Sequence, residues 1–206
     1  MGGSGFYIKA LDSGLLPLPE TDPTIKAQVL KMEGSVERLK EVDPEIFEKI
    51  SEKDLYRVGR ALEVYLQTGK PLSVWQKEFS PQPLAKKLAF HMNREDLRKR
   101  VKTRTKEMLK KGFVFEVEEL LKKEVLKKPW KPLQSVGYQQ VVDFLQGKIK
   151  TAALLEEEIV LRTMQLSKRQ KTWFQKDKTV TWFDVKDYKK AYGFLNQVFK
   201  ETAWRV

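Results

Sequence analysis

The stretch "TAALLEEEIVLRTMQLSKRQKTWF", residues 151–174, constrains this chain more than any other. Thr151 has the form of an N-cap, and Leu155, Ile159, Leu166 and Trp173 recur at helical spacing, which predicts one long helix with an apolar stripe turned inward. Arg162, Gln165 and Arg169 fall on another face at spacings of three and four, with Lys168 beside them. Basic and amide side chains grouped on one helix, with an aromatic pair close behind, suit contacts to nucleic-acid phosphates. The same residues are also what a solvated helix face with a core tryptophan looks like, and the helix by itself leaves both readings open.

Around this element the chain is punctuated clearly. "LLPLPETDP" is a proline-rich break, and Asp22-Pro23 and Asp43-Pro44 each place a capping carboxylate before a proline at the first helical position. In "EKDLYRVGRALEVYLQTGK", Leu55, Val58, Leu62 and Tyr65 share a face and Gly69 marks the stop; Arg57 and Arg60 lie on a neighbouring face. "PLAKKLAFHMNR" reads as a strand ending at Asn93, which caps the helix "REDLRKRVKTRTKEMLKKG". Leu97, Val101 and Met108 of that helix point inward, while Arg94, Arg98, Arg100 and Arg104 occupy its other faces. "FVFEVEELLKKEVL" continues helically, "KPWKPL" breaks the chain, and "SVGYQQVVDFLQG" makes a turn and a short helix. "KTVTWFDV" alternates like a strand, and "DYKKAYGFLNQVF" is a closing amphipathic helix. The pattern is α/β, with far more helix than strand.

Charge narrows the partners. Residues 1–89 carry 13 Lys+Arg against 13 Asp+Glu, whereas residues 90–206 carry 27 against 15, so the whole net charge of +12 lies in the second part. Such a surface attracts polyanions through counterion release, and nucleic acid heads the candidates. The chain has no cysteine and one histidine, His91, which excludes disulfides, thiolate metal sites and histidine clusters. No apolar run reaches the length of a membrane span, so no membrane partner is expected and a cytoplasmic setting is. There is no GxSxG, no zinc-ligand spacing and no GxxxxGK[ST] phosphate loop.

Five segments in order, "GGSGFYIKAL", "DLYRVGRALEVYLQTGKPLS", "REDLRKRVKTRTKEMLKKGFVFEV", "SVGYQQVVDFLQG" and "QLSKRQKTWF", resemble the tRNA dimethylallyltransferases, also called tRNA isopentenyltransferases, over nearly the entire chain. The resemblance implies transfer of a dimethylallyl group from dimethylallyl diphosphate, with Mg2+, to the exocyclic amine of the adenosine 3′ of the anticodon. It implies a P-loop kinase-like α/β core, represented here by residues 1–16 and 82–206, with a helical insertion at 17–81 that grips the tRNA anticodon stem. Residue by residue, Ser4 takes the hydroxyl position of the family's GGT motif near the target adenosine, and Arg104 faces the diphosphate. Tyr56, Arg57 and Arg60 match a tRNA-contacting segment, and Gly137, Tyr138 and Gln139 match a GY turn that also touches tRNA. Arg162, Lys168 and Arg169 complete the expected tRNA surface, and no residue of this chain is expected to bind metal directly.

Three positions depart from the family pattern: Gln139 stands where Lys or Arg is usual, Met164 where Arg is usual, and Gln175 where Arg is frequent. The family's phosphate loop and catalytic aspartate precede its GGT motif, at which this sequence opens. "GGSGFY" thus reads as a strand-to-helix turn without its strand, and the chain is expected to be the C-terminal two-thirds of a longer, monomeric enzyme and inactive by itself. The alternative expectation is a non-catalytic remnant that binds tRNA.

Overall fold

The computed structural model describes residues 2–80, 85–123 and 131–202. The start of the strand expected at 83–93 and the end of the helix expected from 113 onward lie outside the described residues. The chain divides into two compact units, Phe6–Leu84 on one hand and Met1–Gly5 with Ala85–Val206 on the other. No described helix is long and apolar enough to cross a membrane.

The first unit is helical: α1 (Gly5–Ser13, its first residue belonging to the other unit), α2 (Pro23–Leu30), α3 (Ser35–Val42), α4 (Pro44–Lys49), α5 (Leu55–Thr68) and α6 (Leu72–Glu78). Both Asp-Pro pairs start helices as their chemistry dictates. The Asp22 carboxylate accepts from the Thr24 N–H at 2.7 Å at the head of α2. The buried Asp43 carboxylate accepts from the Ile46 N–H at 3.2 Å with one oxygen and from the Ser73 N–H at 2.8 Å with the other, so one side chain caps α4 and ties α6 to it. The core forms where Val58, Ala61 and Leu62 of α5 meet Val29, Leu39 and Ile46. Gly69, at φ +68°, stops α5 and sends its N–H to the Tyr65 carbonyl.

Arg60 holds the connection between α1 and α2. Its guanidinium donates to the Thr21 hydroxyl and the Pro19 carbonyl, and pairs with Glu63 at 3.2 Å. Gln67 adds a bond to the Glu20 carbonyl at 2.7 Å. Arg57, by contrast, is 68% exposed and pairs with its own helix cap, Asp54, at 3.3 Å.

The second unit carries β1 (Lys87–His91), α7 (Arg94–Lys110), α8 (Phe113–Lys122), α9 (Tyr138–Leu145), α10 (Ala152–Gln175), β2 (Val180–Asp184) and α11 (Tyr188–Thr202), with short 3-10 turns before α9 and after β2. β1 and β2 pair in parallel, from Lys87 opposite Val180 to His91 opposite Asp184. Parallel pairing requires a crossover, and α7 to α10 supply it. Asn93 caps α7 through the Asp96 N–H, and Thr151 caps α10 through the Leu154 N–H at 3.2 Å. The core of this unit joins Phe113 and Val117 of α8, Val141 of α9, and Leu155 and Ile159 of α10. The stripe on α10 is buried only in its first half. Leu166 is half-buried and Trp173, expected in the core, is 37% exposed.

Asp177 locks the entry to β2 beside the start of β1. Its carboxylate pairs with Lys87 at 2.7 Å and accepts from the Thr179 hydroxyl and N–H, which holds its pKa down at about 2, against an ordinary 3.8. A depressed folded-state pKa stabilises the fold above about pH 4 and loses that contribution as pH falls through 2. Asp177→Asn is therefore expected to cost about 1 kcal/mol at neutral pH, discounted for the partial exposure of the pair, and to flatten acid unfolding between about pH 4 and 2. Urea midpoints at stepped pH measure both; parallel curves for parent and variant would dismiss the pairing. In the helical unit, Arg60→Ala strands Glu63, which is only 11% exposed, and is expected to lower stability by about 2 kcal/mol, while Arg57→Ala stays within about 0.5. Equal urea midpoints for these two variants would show that Arg60 holds nothing.

Candidate nucleic-acid interface

The site is built on α9 and α10. Gly137 precedes α9 at φ +99°, a conformation that other residues rarely adopt, and its buried N–H donates to the Gln140 side chain at 2.8 Å. This bend brings Tyr138 onto Phe113, ring edge to ring face with centroids 5.1 Å apart, while the Tyr138 hydroxyl donates to Glu116 at 2.5 Å. That bond to a carboxylate raises the phenol pKa, because ionising Tyr138 would put two negative charges together. Gln139 then points to Asp143, at 3.1 Å, on the side of α9 that meets α10.

Here the second unit opens a cleft of about 490 Å3, lined by Gln134, Gln139, Gln140 and Asp143 on one side and Glu158, Arg162, Gln165 and Arg169 on the other, with Lys148 at the α9 end. Arg162 is half exposed and pairs with Glu158 at 3.4 Å; Lys148 pairs with Asp143 at 3.3 Å. Arg169 and Gln165 also belong to a second groove, of about 460 Å3, with Lys168, Thr172, Trp173 and Lys176. The first surface mixes amides, guanidiniums and carboxylates. The second sets three cations around an indole and has no carboxylate in its lining.

Of the residues singled out in the sequence, the structure brings Gln139, Arg162 and Arg169 together in the cleft, with Lys168 beside Arg169 in the groove. Gly137 and Tyr138 shape the α9 wall. Ser4 is exposed in the segment before α1, between Gly3 and Gly5. Arg104 is exposed on α7 and lines neither cavity. Tyr56, 83% exposed, and Arg57 stand at the start of α5 in the helical unit, where Arg60 is engaged within its own fold. Sequence reasoning missed Gln134 and Gln140. Gln140 was findable, because an amide three residues after a turn glycine is placed to return to that glycine's N–H. No local pattern marks Gln134.

Comparison with known proteins gives the family. A family model described as IPP transferase matches residues 1–177. A tRNA dimethylallyltransferase from Bdellovibrio bacteriovorus is 40% identical over 197 residues, 89% of this chain and 63% of the relative, and one from Crocosphaera subtropica is 37% identical over 188 residues, 90% and 62%. The chain thus spans a little over 60% of the length of these curated relatives. Among solved structures, a tRNA isopentenylpyrophosphate transferase from Staphylococcus epidermidis is similar at TM-score 0.56 and 26% identity, over 96% of this chain and 67% of that one. A eukaryotic dimethylallyltransferase acting on tRNA shares the fold at TM-score 0.78 with 21% identity, over 97% and 56%. With most of its length matched by the family model, and with the segments that shape both cavities inside that match, the chain belongs to the IPP transferase family.

Proposed function

We propose that this chain is the tRNA-facing part of a cytoplasmic prenyltransferase that moves a dimethylallyl group from dimethylallyl diphosphate to the exocyclic amine of the adenosine 3′ of the anticodon. The observation that carries the reading is the convergence of Gln139, Arg162 and Arg169 on one cleft, continuous through Arg169 with a groove of Lys168 and Lys176. A polyanion with exposed base edges needs this combination: cations for phosphates, amides for edges. The second unit is then the C-terminal portion of a P-loop kinase-like core, and the helical unit, with Tyr56 and Arg57 on its surface, holds the anticodon stem.

In the transfer, the amine nitrogen bonds to C1 of the dimethylallyl group as the C1–O bond breaks, diphosphate departs with the bonding pair, and the amine loses a proton to a base. Charge growing on the diphosphate must meet fixed donors. Arg104 is the residue of this chain assigned to it, and the Ser4 hydroxyl is assigned to the adenosine. Among the described residues no group of three or more acidic, histidine or cysteine side chains is placed to hold a metal ion. Any Mg2+ belongs with the diphosphate substrate. The second reading is a tRNA-binding remnant without catalysis.

Salt titrations of an anticodon stem-loop test the surface. Arg169→Ala is expected to weaken binding and to reduce the log–log salt slope by about 0.7–0.9, and Arg162→Ala, whose guanidinium is paired with Glu158, to weaken binding with a smaller change of slope, whereas Lys190→Ala on α11, which lines neither cavity, leaves both unchanged. Unchanged slopes for both arginine variants would return α10 to an ordinary solvated helix. Without the phosphate cradle, the isolated chain is expected to transfer no prenyl group from labelled dimethylallyl diphosphate. Turnover above background would refute that expectation and the remnant reading together.

A further inference from the structure

Gly3 and Gly5 run close to α10, and Gly5 has no room for a side chain against the rigid Trp173 ring. A Cβ on Gly5 would overlap the Trp173 indole at Cδ2, Cε3 and Cε2, and one on Gly3 would overlap the Gln170 amide. Neither glycine is among those with positive φ, so close approach to the indole, and not backbone conformation, is what requires glycine at position 5, while at position 3 the Gln170 amide lies against the backbone. Gln170 and Trp173 stand three residues apart on α10 and share one flank of the helix, so they touch the segment on both sides of Ser4. Trp173 is itself steadied by Phe174, edge to face at 5.0 Å.

We propose that Gln170 and Trp173 are positioning residues that seat the Gly3-Ser4-Gly5 segment and so fix where the Ser4 hydroxyl stands. A rigid indole with only two side-chain torsions is a good seat for a glycine-flanked backbone, and the amide beside it limits sliding along the helix. The indole carbons that meet Gly5 are thereby taken, which assigns Trp173 to holding protein backbone and not to stacking a base. Two separate motifs, "GGSG" and "KRQKTW", are one structural unit. The seat stands on packing alone; its consequence for prenyl transfer rests on the function proposed above.

The absence of cysteine makes the test direct. Ser4→Cys in the full chain carries a single nitroxide spin label, whose line shape reports local mobility. The parent label is expected to show a broad, immobilised component. That component is lost in Trp173→Ala, reduced in Gln170→Ala, and restored by Trp173→Phe, with thermal melts recording whether each variant folds. Gly5→Ala, which alters no α10 side chain, is expected to release the label in the same way even if Trp173→Ala fails to fold. A sharp line shape in the parent, or an immobilised one retained in Trp173→Ala and Gly5→Ala alike, would overturn the seat. Adding the anticodon stem-loop separates the two claims: further broadening at position 4 supports both, while an unchanged immobilised spectrum with RNA bound supports the seat and removes Ser4 from the RNA.

Discussion

Everything proposed for the second unit depends on the burial of Leu155 and Ile159. With 1% and 2% of their surfaces exposed, they anchor the first half of α10 in the cluster formed with Phe113, Val117 and Val141. Two fully buried aliphatic side chains contribute about 3–6 kcal/mol of transfer free energy, enough to fix the rotation of the whole helix about its axis. Once that rotation is set, the 3.6-residue repeat decides which side chains face α9 and which face outward. Arg162, Gln165 and Arg169 line the cleft because Leu155 and Ile159 cannot be anywhere else.

The helical unit solves a different problem. Its helices are short, several of eight residues or fewer, and such segments do not hold by propensity alone. Polar side chains supply the missing order: Asp43 joins two helices through two N–H groups, and Arg60 fastens a proline-rich connection that makes few helical bonds of its own. Each reaches a partner far away in sequence, Asp43 the Ser73 N–H and Arg60 the Thr21 hydroxyl and Pro19 carbonyl. An arginine of this sort is easily mistaken for a surface cation.

That difference explains what was legible beforehand. The starts at Asp22, Asp43, Asn93 and Thr151, and the stop at Gly69, depend on bonds to atoms within four residues, so composition at those sites determined them. The basic and amide face of α10 followed from spacing alone. The two internal bonds of Arg60, by contrast, reach residues 39 and 41 positions away, and nothing around "YRVGR" announces them. Trp173 was expected in the core because its spacing fits the stripe; its actual neighbour is Gly5, a residue with no side chain to leave a pattern. The parallel register of β1 and β2 was hidden for the same reason, since it is set by the helices of the crossover and not by either strand.

The two cavities that share Arg169 differ in what they can bind. In the cleft, Arg162, Arg169 and Lys148 stand among Asp143 and Glu158, so the charges nearly cancel, and two of the cations are already paired. A phosphate there would compete with carboxylates. The four glutamines of the lining, of which Gln139 already donates to Asp143 and Gln140 already accepts from Gly137, present amide groups better matched to the neutral, directional edges of bases or to ribose hydroxyls. The groove holds Lys168, Arg169 and Lys176 with no opposing carboxylate in its lining, so its field is uniformly positive and draws phosphate without regard to sequence. Under the proposed tRNA reading this division has a mechanical consequence. Backbone charge settles on the groove, Arg169 is the hinge between the two surfaces, and a nucleotide one step along the strand meets the amides of the cleft, where discrimination becomes possible.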